Sequence, residues 1–524
     1  KRQKVNRENM LGRISDRTEP WDMLIIGGGA TGVGVAVDAA SRGYSVLLLE
    51  QSDFGKGTSS RSTKLIHGGV RYLQQGNISL VMEALRERGI LRNNAPHLVH
   101  DLAFIVPNYD WWEAPFYGIG LKIYDMLAGR YGFGPSKILT KDETLERIPT
   151  IKRDGLRGGI IYYDGQFDDA RLLINLARTA SHQGAVLLNY ARVITLTRSG
   201  DGIIDGAIFE DLEAGTEHRA RSKAVINATG PFADHICRMD DPNALPLISP
   251  SQGIHLVFDR SFLPGKSAIM VPHTKDGRVM FAIPYLGVTL VGTTDTPVSE
   301  IELEPRPMAE EIDFILETAG QYLEKVPSRQ DILSVFAGIR PLVKTADEKN
   351  TAALSRDHII HISKSGLLTI AGGKWTTYRL MAKVCVNYAL SLAGLESKPC
   401  ITEQLNIHGF HKTPEKFGEF ALYGSDAPAV QDLVRADPIR EDRLHPALPA
   451  RVGEVIWAVR FEAARTVDDF LARRTRSLLL NARVASETAP KVASIMAKEL
   501  GRGHKWESEQ TESFRKISKI YMPE

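Results

Sequence analysis

The chain has 524 residues, 43% hydrophobic and 24% charged, the makeup of a folded protein with roughly two or three domains. Sixty-five Lys and Arg against 63 Asp and Glu leave a formal charge of +2, too small to indicate a nucleic-acid partner. The cysteines Cys237, Cys385 and Cys400 are scattered, which excludes a disulfide framework and a cysteine zinc site and fits a reducing compartment.

The segment Lys1 to Asp16 is polar and basic and lacks the apolar stretch of a secretion signal. No window approaches the ~20 apolar residues of a spanning helix, so neither a secretion signal nor a membrane span is expected. Met23 to Ile26 then forms a short apolar run, followed by GGGATG, by Val33 to Arg42 with Val and Ala at helical spacing, and by a second apolar run, Tyr44 to Leu49. The order predicted is strand, turn, helix, strand. Gly27, Gly29 and Gly32 stand in G-x-G-x-x-G spacing, directly after a strand and at the start of a helix, the context in which this motif cradles a pyrophosphate. Gly27 permits the tight turn, Gly29 lets the phosphates approach the backbone, and Gly32 lets helix pack on strand. Glu50, ending the next strand, is placed to bond a ribose hydroxyl and disfavours a 2′-phosphate. These residues define a dinucleotide site and do not separate NAD from FAD. Gly118-Ile119-Gly120 has no strand before it and reads as loop or helix cap.

Farther on, Ala185 to Val193 and Ala224 to Thr229 are short runs of the kind that join a buried parallel sheet. Between Ile254 and Asp295 the runs IHLVF, AIMVP, VMFAIPY and VTLVGTTD, with a turn at Lys275-Asp276-Gly277, predict a mostly antiparallel second sheet. His408 to Val452 is a Pro- and Asp-rich connector with helical pieces. Val455 to Leu471 and Ala485 to Leu500 are predicted helices. A boundary falls near 400.

The segments GTSSRSTKLIHGGVRYL (Gly57 to Leu73), NATGPFAD (Asn227 to Asp234), GTTD (Gly292 to Asp295), AGIRPL (Ala337 to Leu342), SRDH (Ser355 to His358) and AGGKWTTYRLMA (Ala371 to Ala382) closely resemble, in order and spacing, the FAD-dependent, quinone-linked glycerol-3-phosphate dehydrogenases. The likeness covers roughly residues 20 to 400, and Pro446 to Gly501 resembles the helical C-terminal domain of that family. It implies an α/β fold like that of D-amino-acid oxidase: a Rossmann-type FAD domain (about 20–75, 150–240 and 335–400) interwoven with an antiparallel substrate domain (about 76–149 and 241–334), and a C-terminal α-helical domain (401–524). By the same likeness Thr58, Ser59 and Ser60 lie near the FAD pyrophosphate, Val193 near the adenine, Ala228 to Gly230 beside the cofactor, and Gly372, Gly373 and Thr376 near the isoalloxazine. Singly, Ser59 and Ser60 also read as helix caps and Val193 as strand core.

Oxidising a secondary alcohol with a flavin needs a group to take the hydroxyl proton. His255 and His67 are the candidates, because neutral imidazole accepts a proton near neutral pH, and His255 is preferred. A phosphate-bearing substrate calls for several cations, Arg above all. Arg71, Arg340, Arg356 and Lys374 meet that need: the resemblance places Arg340 by the substrate hydroxyls, where it polarises a developing oxyanion, and Arg71, Arg356 and Lys374 on the phosphate with Tyr72 nearby.

The resemblance further implies a cytoplasmic enzyme held peripherally on the inner face of the membrane, with a quinone as acceptor. Trp111 to Phe133, aromatic and aliphatic with Lys122 and Arg130 interspersed, reads as an interfacial helix, and equally as a buried helix or a homodimer contact. The basic residues Lys1 to Arg7 would add attraction to anionic lipid. Three other readings compete: a soluble oxidase making hydrogen peroxide, an amine or amino-acid oxidase, which needs fewer cations, and an RNA-modifying flavoprotein, which needs a basic face and reactive cysteines.

Overall fold

The computed structural model describes residues 4–69, 77–110, 113–272, 274–275, 277–344 and 358–523. The first apolar run is the strand Trp21–Ile26, in which Met23, Leu24 and Ile25 are completely buried because the sheet is covered on both faces. It pairs in parallel with Val46–Leu49 on one side and with the last residues of Thr216–Asn227 on the other. Val186–Leu188 and Leu367–Gly372 extend the parallel order outward, and His358–Ile362 closes one edge antiparallel. The helices Ala30–Ser41, Asp169–His182 and Tyr378–Ala393 cover one face, joining Met23, Ile25 and Leu48 in one core. Leu24, Ile26 and Leu47 point to the other face, against the hairpin Ala191–Arg198 and Ile204–Asp211.

Among the described residues the second sheet is antiparallel apart from one parallel pairing, Ala268–Val271 beside Val99–Asn108. At one end of it lies the long pair Ile248–Asp259 and Ile332–Val343, in register from Ile248↔Val343 to Val257↔Ser334. Side chains alternate along it as a strand demands. Leu256 and Val335 face the helix Ala309–Tyr322, whereas Val257 and Phe336 face the C-terminal helices Val452–Phe461 and Ala482–Leu500. Gly158–Phe167 also pairs in this sheet, so residues 150–240 contribute to both sheets, as do 335–400.

Three local expectations are corrected. The run Ala185 to Val193 is two strands, broken at Tyr190, which takes a positive φ of 54° while its hydroxyl donates to Asp469 at 2.5 Å. Gly118 to Gly120 lie inside the helix Glu113–Ala128; Tyr117, Leu121 and Tyr124 are buried at helical spacing, and that apolar stripe outweighs the helix propensity lost at two glycines. Val455 to Leu471 is not one helix. It stops at Phe461, Ala463 takes a φ of 54°, and a wide π turn occupies Asp469–Arg474.

Candidate active site

The glycine turn builds one end of the site. Gly27 has a φ of 112°, and a Cβ there would lie 2.5 Å from the Ala228 carbonyl oxygen; a Cβ on Gly32 would lie 1.9 Å from the Gly27 carbonyl oxygen. Only glycines allow this approach of helix to strand. Ser59 Oγ accepts from the Ala30 amide at 2.9 Å, so Ser59 caps the fingerprint helix across space. Glu50 accepts from the amides of Gly28 at 2.6 Å and Ser52 at 2.8 Å. Burial pushes its carboxyl up, against the pull of those two amides.

From this turn runs a cavity of about 650 Å³. Its wall includes Gly27, Gly29 and Glu50, then Thr58, Ser59 and Val193, then Ala228 and Gly230, and at the far end His67, His255, Arg340, Gly372, Gly373, Lys374 and Thr376. Gly32 stands behind the wall. Ser60 is also off it, and its carbonyl accepts from the buried Lys64 Nζ at 2.6 Å. Arg71, Tyr72 and Arg356 lie outside the described residues.

At the far end His255 is buried, its ring stacked on Phe336 at 4.8 Å and 11°, with Nε2 2.9 Å from Thr63 Oγ1. Burial, reinforced by Lys64 and Arg340, holds the imidazole well below its usual pKa, so it is neutral near pH 7. Arg340 lies on the strand Ile332–Val343, over Gly253, where a Cβ would meet Nη2 at 2.3 Å. Its guanidinium donates to Thr294 O at 2.9 Å and Thr293 Oγ1 at 3.2 Å and pairs with Asp295 at 3.3 Å. Gly372 and Gly373 both have a φ of 80°, and the next residue, Lys374, caps the turn Trp375–Thr377. That turn is tied to the pyrophosphate end, since the Trp375 indole donates to Ser59 O at 2.8 Å. A smaller cavity of about 170 Å³ adjoins and shares Thr63, Leu65, His67 and Arg340 with the first. His67 and Arg340 therefore stand where the two meet.

The long cavity fits FAD. Backbone amides without an acidic side chain in the first helical turn suit the pyrophosphate, and Glu50 and Val193 suit the adenosine end. Gly372 to Thr376, His255 and Arg340 would hold the ring system. Residues 22–379 match the family described as FAD dependent oxidoreductase, and 400–511 match the C-terminal domain of alpha-glycerophosphate oxidase. The chain is 42% identical to the probable mitochondrial glycerol-3-phosphate dehydrogenase of Caenorhabditis elegans over 526 residues, covering 94% of this chain and 72% of that relative.

The chain belongs to the FAD-dependent glycerol-3-phosphate dehydrogenases.

A solved member of that family, the glycerol-3-phosphate dehydrogenase of Bacillus halodurans complexed with FAD, aligns over 99% of this chain and 98% of its own, with a TM-score of 0.80 and 30% identity. FAD is accordingly the cofactor. The L-alpha-glycerophosphate oxidase of Mycoplasma pneumoniae, 18% identical with a TM-score of 0.56 over 73% of this chain and 97% of its own, shares the fold alone. Several residues of this dehydrogenase site carry no individual signal in the sequence: Thr63 against His255, Asp295 against Arg340, and Lys64 locked on Asp169 at 2.7 Å. All three fall inside recognisable segments, Thr63 and Lys64 in SRSTK and Asp295 in GTTD. Their partners come from other elements. None of the three cysteines lines either cavity among the described residues, and no cluster of possible metal ligands occurs among them.

Proposed function

We propose that this chain oxidises sn-glycerol 3-phosphate to dihydroxyacetone phosphate, with a membrane quinone as the final acceptor. Bound FAD supplies the hydride acceptor. The observation that carries the reading is the neutral His255 within one cavity end with Arg340 and Lys374. As the hydride leaves the carbinol carbon, the hydroxyl proton passes to the neutral imidazole of His255, whose orientation Thr63 fixes. Arg340, held by Asp295 and the Thr293 and Thr294 oxygens, stabilises the charge that builds on the substrate oxygen. Lys374 holds the phosphate. His67, at the junction of the cavities, bounds the substrate space.

The membrane reading is supported by the helix Glu113–Ala128. Phe116, Ile119 and Met126 are 55%, 66% and 73% exposed on it, with Ile138 at 65% nearby. Such a contiguous exposed apolar face marks an interaction site, and Lys122 and Arg130 flank it. No helix among the described residues is long and apolar enough to cross a membrane. We divide the chain near residue 400, with the oxidoreductase part before it and the helical part after.

Anaerobic addition of glycerol 3-phosphate to the purified yellow protein tests the proposal. Bleaching of the flavin band is expected, with recovery on adding a quinone. An unbleached band would refute the substrate. Fast recovery in air with peroxide would favour the oxidase reading.

A further inference from the structure

The loop that forms the front wall of the FAD cavity is gripped from behind by the C-terminal part. Gly55, Lys56, Thr58 and Ser59 face the cavity. Asp53, at the start of the same loop, does not; it is fully buried on the other side. Its carboxylate accepts from Arg473 Nε at 2.5 Å and from Arg474 Nη1 and Nη2 at 2.7 and 2.9 Å. Burial pushes the Asp53 carboxyl up, and the two guanidiniums overcome this and hold it below its usual range.

Two neighbouring residues of a regular α-helix project in different directions. Here they reach one carboxylate because they end the π turn Asp469–Arg474, closed by the Thr475 amide on the Phe470 carbonyl at 3.0 Å. Such turns recur at functional positions. Arg474 also donates to the Glu462 carbonyl at 2.7 Å, and Arg473 pairs with Asp468 at 2.8 Å. Asp468 in turn holds Lys56 at 2.7 Å, a residue of the cavity wall. Both ends of the loop segment 53–56 are thereby tied to the same C-terminal turn.

We propose that Arg473 and Arg474 are positioning residues for FAD: through Asp53 they fix the loop 53–59 in the shape that receives the cofactor, so that FAD affinity depends on a part of the chain that touches no cofactor. Coupling between two sites is reciprocal. FAD must therefore tighten the turn 469–474 as much as the turn tightens FAD.

The test compares two isosteric variants. Asp53→Asn removes the charge the two arginines hold. Asp426→Asn removes the charge that Arg178 and His408 hold at 2.5 and 2.7 Å, a largely buried cluster that does not line the cavity. Apoprotein of each is titrated with FAD by fluorescence quenching, and melting temperatures are recorded. Asp53→Asn should weaken FAD binding about tenfold or more, within the usual range of coupling between sites, and Asp426→Asn less than about twofold at a comparable loss of melting temperature. Arg474→Lys, which keeps the charge without the fork, should fall between wild type and Asp53→Asn. FAD affinities that simply follow the melting temperatures across the variants would overturn the proposal. If Asp53→Asn does not fold, hydrogen exchange of residues 466–476 in the wild-type protein decides: FAD should slow it, and exchange unaffected by FAD would overturn the proposal.

Discussion

His255 Nε2 and Thr63 Oγ1 lie 2.9 Å apart, in a pocket where the imidazole has Phe336 stacked on one face and burial keeps it uncharged. A proton acceptor oriented in this way contributes about 10²–10⁴ to a rate. His255→Asn should keep FAD and lose flavin reduction by that factor, measured by anaerobic stopped flow. Thr63→Val, which frees the ring without removing it, should lose less, and His67→Asn least. A larger loss in His67→Asn than in His255→Asn would move the base to His67.

Arg340 is anchored by Asp295, Thr293 and the Thr294 carbonyl. Its removal should raise the barrier to reduction by about 2–4 kcal/mol, as for loss of an oxyanion donor. Arg340→Ala should bind FAD normally and reduce it slowly, and Arg340→Lys should recover part of the rate, because one ammonium cannot replace the guanidinium fork. Near-normal reduction by Arg340→Ala would show the residue to be structural.

Replacing Phe116, Ile119 and Met126 together by Ser removes the exposed apolar face of one helix. An inserted side chain of this size contributes about 1.5–3 kcal/mol at full burial, so sedimentation with anionic vesicles should fall well over tenfold. Turnover with a water-soluble quinone should be unchanged. Equal vesicle binding by the variant and the wild type would dispose of this face as the membrane contact.

Stability should fall on mild acidification. His97 is buried, its Nε2 2.9 Å from the Asn175 amide nitrogen. Burial, with His408 and Arg171, takes its pKa down to about 3. The unfolded chain binds this proton below about 6.5 and the folded chain does not, so the unfolded state holds more protons and stability rises with pH across that window. The contribution is complete above about 6.5 and is lost as pH falls toward 3, at up to about 1.4 kcal/mol per pH unit. His255 acts in the same direction. Thermal midpoints recorded from pH 7 to 4.5 should drop, and His97→Gln should flatten the drop. An unchanged slope in that variant would exclude His97 as a cause.

The cofactor end of the site was legible because its determinants are local. Gly27, Gly29 and Gly32 act through backbone geometry within a single turn, and Glu50 follows at the end of the next strand, so spacing along the chain is also spacing in space. The apolar runs likewise foretold a parallel sheet and an antiparallel one. Boundaries failed where distant contacts override local preference: Tyr190 breaks a strand as its hydroxyl reaches Asp469, and Asp469–Arg474 leaves the α-helix where two arginines meet Asp53. The amino-acid sequence by itself determined the dinucleotide turn, the two kinds of sheet and, through its motifs, the family. Only the tertiary structure decided that Thr63 meets His255, that Asp295 holds Arg340, and that the C-terminal turn backs the cofactor loop. Each of those pairs joins side chains from separate elements, and no periodicity or spacing records a distance that exists only after the sheets have packed.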